Sequence, residues 1–126
     1  MCRVRGRTTS STIFSQGCSE YLAPWGEEEF YWLATSVAMM NGAGCEVVIL
    51  QAGADMHIDD PLGGLLDDAQ MAQRDRYVFK KVRGGVAWCL AGGYRTVAGE
   101  TELERMRPVL ETHLETLAQS MGLGQS

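Results

Sequence analysis

The chain of 126 residues carries 16 acidic and 11 basic side chains for a net charge of −5, and 45% of its residues are hydrophobic. That hydrophobic share excludes a disordered chain and is enough for the core of one domain, while the acidic balance excludes non-specific nucleic-acid binding, which depends on clustered Lys and Arg. No apolar stretch approaches the ~20 residues of a membrane span, and the basic cluster Arg3, Arg5 and Arg7 is not followed by an apolar core, so no membrane partner, no signal peptide and a cytoplasmic setting are expected.

Residues 1–16 read as a loop or disordered lead-in, within a stretch from Met1 to Gly26 that is rich in Ser, Thr and Gly and lacks sustained periodicity. From Glu27 to Met40, the residues Phe30, Leu33, Val37 and Met40 recur at three- and four-residue steps behind an acidic first turn. This predicts an amphipathic helix that stops at Asn41-Gly42. The glycines of Gly42-Ala43-Gly44 precede a strand, whereas a dinucleotide-binding fingerprint must follow one, so they read as a helix-to-strand turn. Cys45 to Leu50, with Val47, Val48, Ile49 and Leu50 contiguous, predicts a strand buried on both faces of a parallel sheet.

Asp67 with Gln70 three residues later predicts a capping box, followed by a helix over Asp68 to Val82 with Met71, Val78 and Val82 on one face and Gly84-Gly85 as its stop. A second strand is predicted over Val86 to Leu90. Strand, helix and strand in this order form a βαβ unit, expected to cross over right-handed, which brings the loops after both strands to one edge. Ligands of open α/β sheets sit at that edge. Further on, Thr101 and Glu104 predict another cap, and Leu103, Met106, Leu110, Leu114, Leu117 and Met121 form one helical stripe expected to pack in the core. Pro108 lies inside that stripe and predicts either a kink or a second helix with proline at its start. Two strands alone leave open sheet edges, so association or instability is expected. Cys2, Cys18, Cys45 and Cys89 lack C-x-x-C spacing, and Cys45 and Cys89 read as buried free thiols of the strands.

Two segments leave the shared edge. The first, Gln51-Ala52-Gly53-Ala54-Asp55-Met56-His57-Ile58-Asp59-Asp60-Pro61-Leu62-Gly63-Gly64, ends in paired carboxylates before a proline. Pro61 fixes its own φ near about −65° and biases Asp60 towards extended backbone, which aims the carboxylate. Taken alone, such an aspartate is a turn residue or a cap. Asp55 and Asp59 read as acceptors of backbone N–H groups around the loop, with Asp55 also a candidate support for a metal ligand. The second segment, Ala91-Gly92-Gly93-Tyr94, has its own bland reading, a packed aromatic whose hydroxyl bonds backbone.

The succession QAGADMHIDDPLGG, RDRYVF and LAGGY, in this order and spacing, resembles the C-terminal third of the histone deacetylase-like and acetylpolyamine amidohydrolase family, over roughly Gly17 to Leu117. The resemblance implies an α/β fold: a partial three-layer parallel sheet with flanking helices, arginase-deacetylase-like. Residues 17–122 would be the C-terminal part of that domain and residues 123–126 a tail. It also implies zinc-dependent hydrolysis of acetyl-lysine or acetylpolyamine-type amides. Asp60 matches a zinc ligand of the family, Tyr94 the catalytic tyrosine whose hydroxyl meets the oxyanion, and Gly92 and Gly93 the substrate-binding loop that lines the acyl-lysine tunnel. The chemistry suits these residue types. Zinc polarises an unreactive amide carbonyl and lowers the pKa of bound water to ~7, and one phenol donor aimed at the oxyanion is typically worth ~2.7–4 kcal/mol of barrier.

The chain also departs from the family. A catalytic zinc usually takes three protein ligands, and the family draws two from an upstream Asp-x-His segment and its base from a histidine pair. His57 and His113 are the histidines here and match neither motif. His57 belongs to the Asp60 motif with no assigned role. The expected reading is a C-terminal fragment of a zinc-dependent deacetylase-like amidohydrolase, inactive as an isolated chain. A small-molecule or acetyl-lysine substrate would be its partner if the site were complete, and self-association or a complementing N-terminal fragment is the other expected partner. The alternative is a non-catalytic α/β remnant or interaction module.

Overall fold

A computed structural model describes residues 27–62 and 64–124, and for residues 27–30 and 32 the backbone alone. The lead-in over residues 1–16 lies outside this range. The elements run α1 (Glu27–Gly42), β1 (Val47–Gly53), α2 (Asp68–Lys81), β2 (Gly85–Ala91), α3 (Glu102–Arg105) and α4 (Arg107–Ser120). The strands pair in parallel from Val47↔Gly85 to Gly53↔Ala91. Over the described residues the protein is thus α/β, with a two-stranded parallel sheet and flanking helices.

Alternation along β1 decides where the core lies. Val48 and Leu50 are 1% and 2% exposed, whereas Val47 and Ile49 are 47% and 45% exposed. Neighbouring strand residues point to opposite faces, so one face of the strand is covered and the other is open. This corrects the expectation of a strand buried on both sides: a contiguous apolar run does not reveal how many faces are covered. On the covered face, Val48, Leu50 and Ala52 meet Leu33, Val37 and Met40 of α1 and Val78 with Val82 at the end of α2. Phe79 and Trp88 join α2 to β2 edge-to-face, with ring centroids 6.3 Å apart. The Phe30 side chain, expected on the α1 stripe, lies outside the described residues.

Local signals set the ends of the helices. Gly44, at φ +69°, turns the chain out of α1 while Cys45 N–H donates to Met40 C=O at 3.1 Å, satisfying a carbonyl of the last turn. Asn41 then donates to Lys81 C=O and accepts from Arg83 N–H, both at 2.8 Å, which ties that turn to the one between α2 and β2. Asp67 and Gln70 form the expected capping box of α2, and Thr101 and Glu104 that of α3. Pro108 sits in the first turn of α4 and not in a kinked single helix. Its missing N–H has no partner to lose there.

Three further expectations are corrected. The stripe from Leu103 to Met121 faces outward, with Leu114 62% exposed, while Val109, Thr112, Thr116 and Gln119 are the buried side of α4. That polar side is turned in because the Thr116 hydroxyl donates to Asp75 Oδ2 at 2.6 Å, completing a buried chain in which Arg74 Nε donates to Asp75 Oδ1 at 2.8 Å. Cys89 is exposed. Cys45 is buried but disulfide-bonded, not a free thiol. Among the described residues, no helix is long and apolar enough to cross a membrane.

Replacing Leu50 by Ala is expected to lower stability by about 2–5 kcal/mol, the usual cost of a large core truncation, and Thr116→Val by about 1–3 kcal/mol, because it leaves a buried carboxylate oxygen short of a donor. Leu114→Ala should change little. Urea unfolding of the three variants checks the order. The Glu104 carboxylate is held below its ordinary pKa by the backbone N–H of Thr101, then that of Glu100, then the Thr101 hydroxyl. A depressed folded pKa means that the cap is intact above the unfolded value and is lost as pH falls through the folded one. An NMR titration of Glu104 should therefore find α3 capped at neutral pH and frayed only in acid.

Candidate functional site

The loops after β1 and β2 leave the same edge and remain in contact. Ala54 N–H donates to Ala91 C=O at 2.9 Å and so extends the ladder by one bond. The chain then folds back on itself: Asp60 N–H donates to His57 C=O at 2.9 Å, Ile58 N–H to Leu66 C=O at 2.8 Å and Leu66 N–H to Met56 C=O at 2.9 Å. A Cβ at Gly64 would overlap the backbone of Met56 and His57, so only glycine lets the returning segment come this close. Leu66 is fully buried beneath the loop.

Asp60 is 5% exposed, and each of its oxygens has a backbone donor. Oδ1 accepts from Leu62 N–H at 2.9 Å within its own loop. Oδ2 accepts from Tyr94 N–H at 2.7 Å, across to the loop after β2. The two site residues named from the sequence are therefore bonded to each other, through a carboxylate and a backbone amide. Gly92 and Gly93 make this approach possible with φ of +54° and +105°. A Cβ at Gly93 would lie 2.6 Å from Val109 Cγ1 and 2.9 Å from Ala54 Cβ, and one at Gly92 would lie 2.6 Å from Asp55 Cγ. Asp55 thus lies against the glycine loop, and Asp60 accepts the Tyr94 N–H that follows the glycines. Tyr94 is 56% exposed, unlike a packed aromatic.

Next to this staple is a polar cluster. His57 is buried, and its Nδ1 accepts from Asp59 N–H at 3.1 Å. Its other ring nitrogen, Nε2, lies 3.2 Å from Asp68 Oδ1 at the first turn of α2. Arg95 Nη1 lies 3.0 Å from Nδ1 and 2.9 Å from Nε2, against the ring. Below it, Arg74 reaches from α2 to donate through Nη1 to Gly53 C=O at 3.1 Å, the last carbonyl of β1. The RDRYVF segment thus acts at the site through Arg74 and Asp75, which are buried, paired and linked to α4. A cavity of about 510 Å³ lies between α2 and α4, away from Tyr94, and four carboxylates, Asp68, Asp75, Glu111 and Glu115, line it.

A zinc ion usually takes three protein ligands in a catalytic site. Among the described residues no group of three His, Cys, Asp or Glu side chains is placed to hold a metal. Asp60 keeps one unused lone pair on each oxygen and so remains a competent donor, but His57 has both ring nitrogens engaged. The described residues by themselves do not fit a zinc ion. The structure brings together Asp60, Tyr94 and the glycines, the candidates named from the sequence; Arg95 was not among them, being an isolated basic residue in a loop with no periodic or motif signal, and His57 was left without a role.

Exchanging Asp60 for Asn keeps one acceptor oxygen and turns an amide NH₂ towards the other N–H, so it is expected to cost about 1.5–3 kcal/mol. Hydrogen exchange should show faster exchange at either Leu62 or Tyr94. Gly93→Ala combines a left-handed backbone with contact against Val109 and should cost about 1–3 kcal/mol, read by urea unfolding.

No family model, no curated protein and no solved structure matches this chain.

Proposed function

We propose that the Asp60 and Tyr94 loops are one side of a deacetylase-like amidohydrolase site acting on acetyl-lysine or acetylpolyamine-type amides, in an arginase-deacetylase-like three-layer sheet. The observation that carries this reading is the 2.7 Å bond from Tyr94 N–H to Asp60 Oδ2 at the carboxyl edge of two parallel strands. The resemblance makes one of these residues a metal ligand and the other the oxyanion donor, and such roles need their carriers adjacent and fixed. Exposure of the Tyr94 ring supports a hydroxyl that meets substrate. In this reading Asp60 contributes one metal donor, the remaining donors come from outside the described residues, and Tyr94 donates to the oxygen on which charge develops. Gly92 and Gly93 present backbone to the acyl chain. A second reading, a non-catalytic α/β module, is favoured by the engaged nitrogens of His57 and the missing three-donor group among the described residues.

Zinc content and hydrolysis of an acetyl-lysine peptide and an acetylated polyamine separate the two. The chain alone should hold well under one zinc and turn over neither substrate. Supplied with the N-terminal part of a deacetylase-like domain that carries an Asp-x-His segment and a histidine pair, it should bind zinc and become active. In that assembly Tyr94→Phe should lower kcat by about 10²–10³-fold with zinc retained, and Asp60→Asn should release the metal. Equal turnover by Tyr94→Phe, or an assembly that stays inert, sinks the proposal in favour of the module.

A further inference from the structure

We infer that Arg95 is the positioning residue of Tyr94, an inference that rests on the proposed role of Tyr94 for its catalytic meaning but on separate contacts for its geometry. The segment from Gly92 to Gly99 has no helix or strand of its own, and it enters Tyr94 through two glycines of positive φ. Such a segment has little intrinsic reason to hold one conformation. The Tyr94 ring does not supply one, being more than half exposed. The direction of the side chain is therefore set by the backbone, which is held further on by Val97 N–H on Arg105 C=O at 2.9 Å and, beside the ring, at two points. One is the Tyr94 N–H on Asp60. The other is the next residue.

Arg95 lies in a loop, yet its side chain is only 13% exposed. Its guanidinium spans three parts of the fold. Nη1 contacts His57 in the loop after β1. Nη2 donates to Asp68 Oδ1 at 3.1 Å at the start of α2, to Pro108 C=O at 3.2 Å and to Thr112 Oγ1 at 2.9 Å on α4. Asp68 is largely exposed, and a pair with such a carboxylate contributes little. The less exposed acceptors, the Thr112 hydroxyl and the Pro108 carbonyl, fix the position, with Nη1 lying against the His57 ring. Reaching both His57 and α4 requires a planar fork with several donors; an ammonium is a single point and cannot bridge them. Asp60 and Arg95 thus hold Tyr94 from both sides along the chain, while the ring itself stays open to solvent.

The test uses Arg95→Ala and Arg95→Lys in the full chain, with amide hydrogen exchange read by NMR. In both variants the Tyr94 amide should exchange at least about tenfold faster while the ladder amides of β1 and β2 keep their protection, the signature of local and not global opening. Thr112→Val, which removes a single Nη2 acceptor, should act in the same direction and more weakly, and it provides the reading if Arg95→Ala does not fold. In the assembled enzyme described above, Arg95→Ala should lower kcat with KM within about twofold, as expected when a transition-state contact and not binding is lost. Unchanged Tyr94 exchange overturns the inference, as does full rescue by lysine or a loss of protection shared equally with the strands. Faster Tyr94 exchange in an assembly that hydrolyses no acetyl amide upholds the clamp and removes the amidohydrolase reading.

Discussion

The carboxylate of Asp60 has to be satisfied where it is buried, and the geometry of the whole edge follows from that requirement. An unpaired buried charge is too costly to keep, and here the compensation comes from two backbone N–H groups, of Leu62 and Tyr94, at 2.9 Å and 2.7 Å. They belong to different loops. The charge is therefore stable only while the segment after β2 lies against the segment after β1, and the positive φ of Gly92 and Gly93 lets it do so. Pro61, by biasing Asp60 towards extended backbone, favours a geometry in which one carboxylate serves both donors. Stability and the placement of the site are in this sense one interaction.

The same preference for satisfying buried charge explains the orientation of α4. Its most apolar stripe, including Leu114 and Leu117, is outward, and its inward side carries Thr112, Thr116 and Gln119. Turning the stripe inward would take the Thr116 hydroxyl from Asp75 and the Thr112 hydroxyl from Arg95. Asp75 and Arg74 are already committed to the end of β1 through Gly53 C=O. Leaving one member of a buried pair short of a partner costs more than exposing a leucine, whose partial exposure is ordinary on protein surfaces. The outcome is a protein with apolar surface on the open face of β1 and on α4. A parallel sheet is normally covered on both faces.

How much of this was legible in the sequence depends on the range of each signal. Capping boxes at Asp67 and Thr101 and the glycines that end helices act within a few residues, so the elements could be read with their ends. The adjacency of Asp60 and Tyr94 was also legible, because parallel strands joined by a crossover put their following loops at one edge. The covered face of β1 was not, since Val47 to Leu50 is apolar on both sides and burial depends on which other elements are present. Nor was the inward side of α4, where apolar periodicity competed with a polar network whose members, Arg74, Asp75 and Thr116, are up to 42 positions apart. Arg95 was illegible for a related reason: its partners come from three separate segments and none follows it in a pattern.

What distinguishes a working site from a well-made turn is the state of Tyr94. Asp60 would serve equally well as a staple in a protein with no chemistry, and the buried Arg74–Asp75 pair would support either. A tyrosine retained for packing buries its ring and finds its hydroxyl a partner. At position 94 the backbone is fixed on one side by a charged acceptor and on the other by a five-donor side chain, while the residue as a whole is 56% exposed at the edge. Constraint on the main chain combined with freedom of the ring serves a group that must meet something from outside. The proposed role of Tyr94 rests on that combination together with its bond to Asp60.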